Sequence, residues 1–338
     1  MEKYTITGRI GEGAHGIILR GKEIASGREV ALKKVLVKHL DEGIPCQIIR
    51  EIKTMQMANC KYVMELLDYF PHVLSFVLVF QYMPSGLSEM IHDYDHPMSE
   101  AQMKSYMVML LRGVRHLHEN GIMHRDLKPA NLLIGEDGIL RIGDFGLGRM
   151  MWNENRKNKL YTHQIATRWY RAPEILYGAR NYNHTVDLWA VGCIIAEILN
   201  KEPLFPGDTD IDQLAMVIRT LGTPNESSWP GLQSLPDFNK ITFPPSEPVP
   251  WEDLLPDVPS TGVDLVKSLI LYDGNQRISA AKALTHPYFF TNPLPMPEKL
   301  MPKPPIDHRE LLKTKYLKTF KSPSEMFDQL LDVFDMVL

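Results

Sequence analysis

His124-Arg-Asp126-Leu-Lys128-Pro-Ala-Asn131 puts an acid, an ammonium and an amide into one short run, and Asp144-Phe-Gly146 follows with a second acid. In that order Asp126 can orient an alcohol and take its proton, and Lys128 can offset charge on a moving phosphoryl group. Asn131 and Asp144 offer the hard oxygen donors that suit magnesium. Upstream, Gly11-Glu12-Gly13-Ala14-His15-Gly16-Ile17-Ile18 has the GxGxxG spacing that lets backbone amides approach phosphate oxygens. Alone it fits a plain glycine hairpin equally well. A dinucleotide-binding turn would need a strand before it and a helix after it, whereas strand-like segments flank it on both sides. Val30-Ala31-Leu32-Lys33 then sets an ammonium in mid-strand, where a charge is costly without an anionic partner. Two partners are available, the phosphates of ATP and Glu51. The chemistry within reach of this set is phosphoryl transfer.

These residues need elements to position them. Tyr4 to about Val35 alternates apolar residues between glycines and predicts three short antiparallel strands. Pro45 opens a helix with Ile48, Ile52, Met55 and Met57 at helical spacing, and Glu51 rides on it. Val73 to Phe80 is a continuous apolar run that predicts a buried strand, followed by the connector QYMPSG as a hinge. From Ser99, a candidate cap, long helical patterns dominate, and Gly121 stops the first of them. The order predicts an α+β fold of two lobes, a small mostly β N-lobe over about 4–82 and a larger mostly α C-lobe over about 87–290. Residues 223–261 are too rich in proline for continuous helix and predict an ordered, winding insert. Residues 291–338 form a tail that begins as an extended linker. Ser322-Pro-Ser-Glu325 has the form of a capping box, and Phe327, Leu330, Leu331 and Phe334 follow it. That predicts an amphipathic helix over about 322–338, docked on its own core or binding a partner.

Composition excludes several classes. With 44% hydrophobic and 23% charged residues, the chain can bury a core, so global disorder is excluded. A net charge of -4 gives no general pull toward nucleic acid or anionic lipid, so neither partner is expected. The three cysteines, Cys46, Cys60 and Cys193, form no CxxC pair and suggest neither zinc nor a disulfide framework. The N-terminus lacks a signal-peptide pattern, and Leu188 to Leu199 is too short to cross a bilayer. The cytoplasm or nucleus is the expected location, without membrane insertion.

Taken together, the motifs resemble the protein kinase family over roughly residues 4–290, completed by Ala172-Pro-Glu174, Asp187-Leu-Trp189 and Arg277. Within it, PCQIIRE (45–51), YTHQIATRWYRAPE (161–174) and the proline-rich insert are similar to cyclin-dependent kinases. GEGAHGI, LYGAR and LFPG look closest to the cell-cycle-related kinase branch. The resemblance implies ATP and Mg2+ between two lobes and transfer to serine or threonine of protein substrates. It implies that Ile10, Ile18, Ala31 and Leu133 sandwich adenine, that Phe80 guards the back, and that the backbone from Gln81 to Met83 bonds the base. Thr167 resembles the threonine that bonds the catalytic acid and lysine, here Asp126 and Lys128. Glu174 and Arg277 resemble a structural ion pair.

Further implications concern regulation. Ser/Thr-Pro substrates are implied by the segment holding Ile165, Ala166 and Arg171. Thr162 matches a site phosphorylated by an upstream activating kinase, with Arg50, Arg125 and Arg149 as the arginines that would hold its phosphate. A cyclin or cyclin-like activator is implied, and the cilium joins the possible locations. Ala14 and His15 stand where related kinases carry an inhibitory Thr-Tyr pair, and Gly86 replaces an Asp that contacts the ribose. Two rival readings are a pseudokinase scaffold, disfavoured by the presence of Lys33, Asp126, Asn131 and Asp144, and a mitogen-activated type of kinase. The latter is disfavoured because Thr162-His-Gln is not Thr-x-Tyr.

Overall fold

A computed structural model describes residues 2–13, 16–37, 45–73, 75–151 and 167–310. Strands β1 (Tyr4–Gly13), β2 (Gly16–Glu23) and β3 (Glu29–Leu36) follow one another as antiparallel hairpins. Helix α1 (Cys46–Met57) comes next, then β4 (Leu66–His72) and β5 (Ser75–Gln81), which complete a sheet in the order β1-β2-β3-β5-β4. The strand period of two sorts β3. Val30 and Leu32 join Val77 and Val79 in one apolar cluster, while Ala31 and Lys33 reach the cleft.

On α1 the buried residues Ile48, Glu51, Ile52 and Met55 recur every three or four positions and so share a face. Ile48 and Ile52 pack on Phe76 and Leu78 of β5. Met57, expected on that face, is exposed, because it falls outside the three-to-four spacing.

One further expectation needs correction, and one strand was missed. The strand expected from Val73 begins at Ser75; Val73 is exposed with φ +52° and belongs to the turn from β4. Strand β4 was not anticipated, because Asp68 and Pro71 interrupt its apolar pattern. Pro71, which has no N–H, is accommodated because β4 is the edge of the sheet.

Past the hinge come β6 (Ser85–Gly86), α2 (Leu87–His92) and α3 (Glu100–Glu119). Ser99 and Gln102 form a reciprocal capping box on α3, and Gly121 at φ +68° ends it. Strands β7 (Ile122–Met123), β8 (Leu132–Ile134), β9 (Leu140–Ile142) and β10 (Arg149–Met150) form two small sheets, β10-β7 and β6-β8-β9. Helices α4 (Pro173–Leu176), α5 (Thr185–Asn200) and α6 (Asp210–Leu221) follow. Helix α5 is buried from Val186 to Ile198, consistent with its continuous apolar run. The proline-rich stretch winds through short turns and α7 (Trp251–Leu254) before α8 (Ser260–Leu269) and α9 (Ala280–Ala283). No helix among the described residues is long and apolar enough to cross a membrane.

The segment after Phe290 is pinned to the fold, where a plain linker was expected. Lys104, fully buried, donates to the carbonyls of Thr291 (3.0 Å) and Pro293 (2.9 Å). Ser105 donates to the Met296 carbonyl at 2.8 Å, and Glu298 accepts from Tyr62 (2.6 Å) and Arg112 (2.7 Å). A proline-rich stretch has few N–H groups, but its carbonyls still need donors, and α3 supplies them. The helix expected over 322–338 lies outside the described residues.

Glu174 and Arg277 form the ion pair that the resemblance implied, with two parallel bonds of 2.7 Å each. Arg277 also donates to the carbonyls of Leu271 and Thr185, and its guanidinium lies 5.2 Å from the Trp189 ring centre. Removing one partner of a buried pair strands the other, at a cost of about 3–5 kcal/mol. Arg277→Leu is therefore predicted to lower the unfolding free energy by about that amount in urea titrations, and a change within about 0.5 kcal/mol, the range of ordinary surface substitutions, would refute a bracing role for the pair.

Candidate active site

Between the sheet and the second lobe lies a cleft of about 280 Å³. Its roof is the β1–β2 hairpin, in which Gly13 pairs with Gly16. Gly16 has φ +128°, and a Cβ there would lie 2.2 Å from the Lys34 carbonyl oxygen, so glycine alone fits. Ile10, Gly11, Gly16 and Ile18 line the cleft, with Ala31, Phe80, Gln81, Met83 and Leu133 completing its walls. Ile17 does not line it, because strand neighbours take opposite faces. Glu12 and Gly13 are placed as strand backbone, while Ala14 and His15 lie outside the described residues. Met64, Ala130, Gly143 and Arg309 line the cleft without having been anticipated. Met64 arrives there through the segment in which Val63 bridges to Ile142, a long-range pairing without a local pattern.

Lys33 is 7% exposed, and its Nζ lies 2.6 Å from Glu51 Oε1 and 2.8 Å from Asp144 Oδ1. Burial pushes the ammonium's pKa down, but the carboxylates of Glu51 and Asp144 outweigh it and hold the group above its ordinary value. Lys33 is thus a fixed cation joining β3, α1 and the Asp144 turn.

The second cluster is built on Asp126. Lys128 Nζ lies 2.9 Å from Asp126 Oδ2 and 2.7 Å from Thr167 Oγ, and the Thr167 amide donates to Asp126 Oδ1 at 2.9 Å. Asn131 Nδ2 donates to the Asp126 carbonyl at 2.8 Å and to Oδ2 at 3.1 Å. That leaves the Asn131 amide oxygen without a hydrogen bond among the described residues. Asn131 and Asp144 both line the cleft, so the two clusters meet there. Their oxygens fit magnesium, which takes one or two protein donors and completes its shell with phosphate and water.

Strained backbone carries both acids. Arg125 (φ +67°) and Asp144 (φ +59°) occupy the left-handed region, which disfavours residues with a Cβ. Asp187 offsets this by accepting from the His124 amide (2.9 Å) and the Arg125 amide (2.8 Å). His124 in turn bonds the Gly143 carbonyl at 2.9 Å and packs edge-on against Phe145 at 4.9 Å. Burial raises the Asp187 pKa, but its bond from His118 (2.9 Å) and those from the backbone prevail, holding the carboxyl below its usual range. The sequence showed Asp187 only as part of Asp187-Leu-Trp189, with no sign of this role.

The arginines implied for a phosphate come from three neighbouring places. Arg50 is exposed on α1; Arg125 is buried and donates to the Leu147 carbonyl and the Tyr182 hydroxyl, each at 2.8 Å. Arg149 stands on β10 opposite Met123. Thr162 lies outside the described residues.

The protein kinase domain family matches residues 4–289. Cyclin-dependent kinase 20 of Danio rerio is 57% identical over 305 residues, covering 90% of this chain and 88% of that protein. The Homo sapiens protein of the same name is 53% identical over the same shares. Cyclin-dependent kinase 7 of Dictyostelium discoideum is 42% identical over 306 residues, 88% of this chain and 84% of its own.

A second histidine stands beside the Asp187 anchor. His184 lies 4.7 Å from His118, the residue that bonds Asp187. Burial, with some repulsion from His118, lowers the His184 pKa from its ordinary 6.5. The unfolded chain then binds more protons below that value, so stability is whole above about pH 6.5 and falls as the pH drops toward the folded-state pKa. His184→Gln should flatten the fall in melting temperature between about pH 7 and pH 5; an unchanged slope would show that His184 does not set it.

Proposed function

The chain belongs to the protein kinase family, in its cyclin-dependent branch, and is a serine/threonine kinase; on that premise we propose that ATP with magnesium is its donor and that its substrates carry proline after the phosphoacceptor. One observation supports this most: Lys33, Glu51 and Asp144 line one cleft with Asn131, which bonds the Asp126 carboxylate. Adenine fits between the apolar side chains of Ile10, Ile18, Ala31 and Leu133, with the backbone of Gln81 to Met83 at its edge. Lys33, kept charged by Glu51, binds the phosphates.

In the transfer, the substrate hydroxyl oxygen bonds to the γ-phosphorus as the bond from that phosphorus to the departing ADP oxygen breaks. Asp126 orients the hydroxyl and takes its proton, Thr167 fixes the carboxylate, and Lys128 offsets charge on the phosphoryl oxygens. Asn131 and Asp144 would hold magnesium, which neutralises phosphate charge when bound. Positioning and electrostatics supply most of the catalysis in this class of reaction.

Proline direction is carried over from the family resemblance. Proline has no N–H, so a site that offers no acceptor there favours it. Arg171 of that region is held by Asp210 at 2.8 Å. A phosphate on Thr162, added by an upstream kinase, would gather Arg50, Arg125 and Arg149. A cyclin or cyclin-like partner is supported by the names of the relatives and by the exposed side chains of Ile49 and Met57 on α1.

A transfer assay with paired Ser-Pro and Ser-Ala peptides tests the reading. Wild type should prefer the proline peptide, and Asp126→Asn should lower its turnover by about a hundredfold or more while ATP still binds. Turnover of Asp126→Asn near the wild-type rate would sink the assignment of the base, and equal use of both peptides would sink proline direction.

A further inference from the structure

The segment following Pro305 returns across the hinge and is fastened on both sides of it. Asp307 pairs with Arg20 of β2 and accepts from the Tyr82 hydroxyl at 3.1 Å. Arg20 is itself braced by Glu29 at 2.8 Å, with its guanidinium 4.3 Å from the Tyr82 ring centre. His308 is buried, bonding Ser85 Oγ at 2.8 Å and Asp93 Oδ2 at 3.1 Å. Between these anchors and the cleft stands Arg309, whose amide donates to the Pro84 carbonyl at 3.1 Å and whose side chain lines the cleft.

Among the described residues, the guanidinium is tethered at one nitrogen. Nε donates to Glu89 Oε1 at 3.1 Å, while neither terminal nitrogen has a hydrogen bond among the described residues. A guanidinium offers five donors and is suited to acceptors at fixed positions, so this one is placed to take a ligand from the cleft. The space beside Gly86, where the resemblance implies an Asp that contacts the ribose, is taken by Glu89. At Gly86 a Cβ would lie 2.7 Å from Glu89 Oε2 and 3.2 Å from the Leu132 carbonyl oxygen, so the Glu89 carboxylate occupies the room that a side chain would need.

Resting on the kinase reading above, we propose that Arg309, carried in by the C-terminal segment, is a nucleotide-binding residue that donates to the ribose oxygens of ATP. The choice of ribose follows from position. Adenine lies along Gln81 to Met83 and the phosphates at Lys33, whereas Arg309 is fastened to Pro84, one residue beyond the base-binding edge. The ribose is the part of ATP nearest to that point. Asp307 and His308 act as positioning residues that hold the segment down.

The test uses the full chain, with ATP, 2′-deoxy-ATP and 3′-deoxy-ATP as donors. A charge-assisted bond corresponds to about tenfold in binding. Arg309→Ala should raise KM for ATP about tenfold, leave kcat nearly unchanged and erase most of the preference for ATP over at least one deoxy analogue. Arg309→Lys should recover part of both effects, and the double variant Asp307→Ala with His308→Ala should reproduce the Arg309→Ala pattern. Wild-type KM and wild-type discrimination in Arg309→Ala would overturn the inference, even if its melting temperature fell, because Arg309 would then be a fastener only. A wild-type chain that neither binds ATP nor transfers phosphate would overturn the kinase reading and this inference together.

Discussion

An ammonium almost sealed from water is stable as a charge only if anions meet it, and Lys33 meets two from distant parts of the chain. The cost of desolvating Lys33 is several kcal/mol, so the contacts with Glu51 and Asp144 must form together or the charge is stranded. Three conditions follow. The register of β3 must turn Lys33 to the cleft, α1 must roll Glu51 inward beside Ile48 and Ile52, and the backbone at Asp144 must adopt its left-handed turn. One buried pair thereby couples the position of a helix to the geometry of the proposed phosphate site. Anything that shifts α1 acts directly on that coupling.

The segment from His124 to Asn131 is governed by a similar economy of buried polar groups. Asp126 and Asp144 sit on or beside left-handed backbone, which an isolated peptide would leave. Asp187 holds the segment by binding two successive amides from the buried α5, and His124 ties that anchor to the turn preceding Asp144. The rigid helical core therefore reaches the reacting groups through a few hydrogen bonds. Thr167 and Asn131 then fix Asp126 from opposite sides, so its carboxylate is already oriented in this structure.

How much of this could be read in the sequence depended on how local each signal was. The groups from His124 to Asn131 and at Asp144 were legible because their chemistry sits within short runs. The Gly hairpin, α1, the capped start of α3 and the buried α5 were legible from period and caps. Strand β4 was hidden by Asp68 and Pro71, tolerated because that strand is the sheet edge, and Val73 was absorbed into a strand by hydrophobicity alone. Ile17 and Met57 erred by one position each in facing, the error to which short apolar runs are prone. Asp187 and Arg309 were the least visible. Each acts on groups far along the chain, Arg309 on Glu89 and Pro84, and such long-range meetings leave no mark in local spacing.

On the proposed reading, the Lys33 pair is what lets this cleft bind the phosphates of a nucleotide and deliver one to an alcohol. The most direct measurement is γ-phosphate transfer from ATP to a serine peptide by Lys33→Met, which keeps the bulk of the side chain and removes its charge, alongside the melting temperature. Lys33→Met is expected to fold and to transfer phosphate about a hundredfold or more slowly. A Lys33→Met enzyme that transfers phosphate at the wild-type rate would contradict that reading.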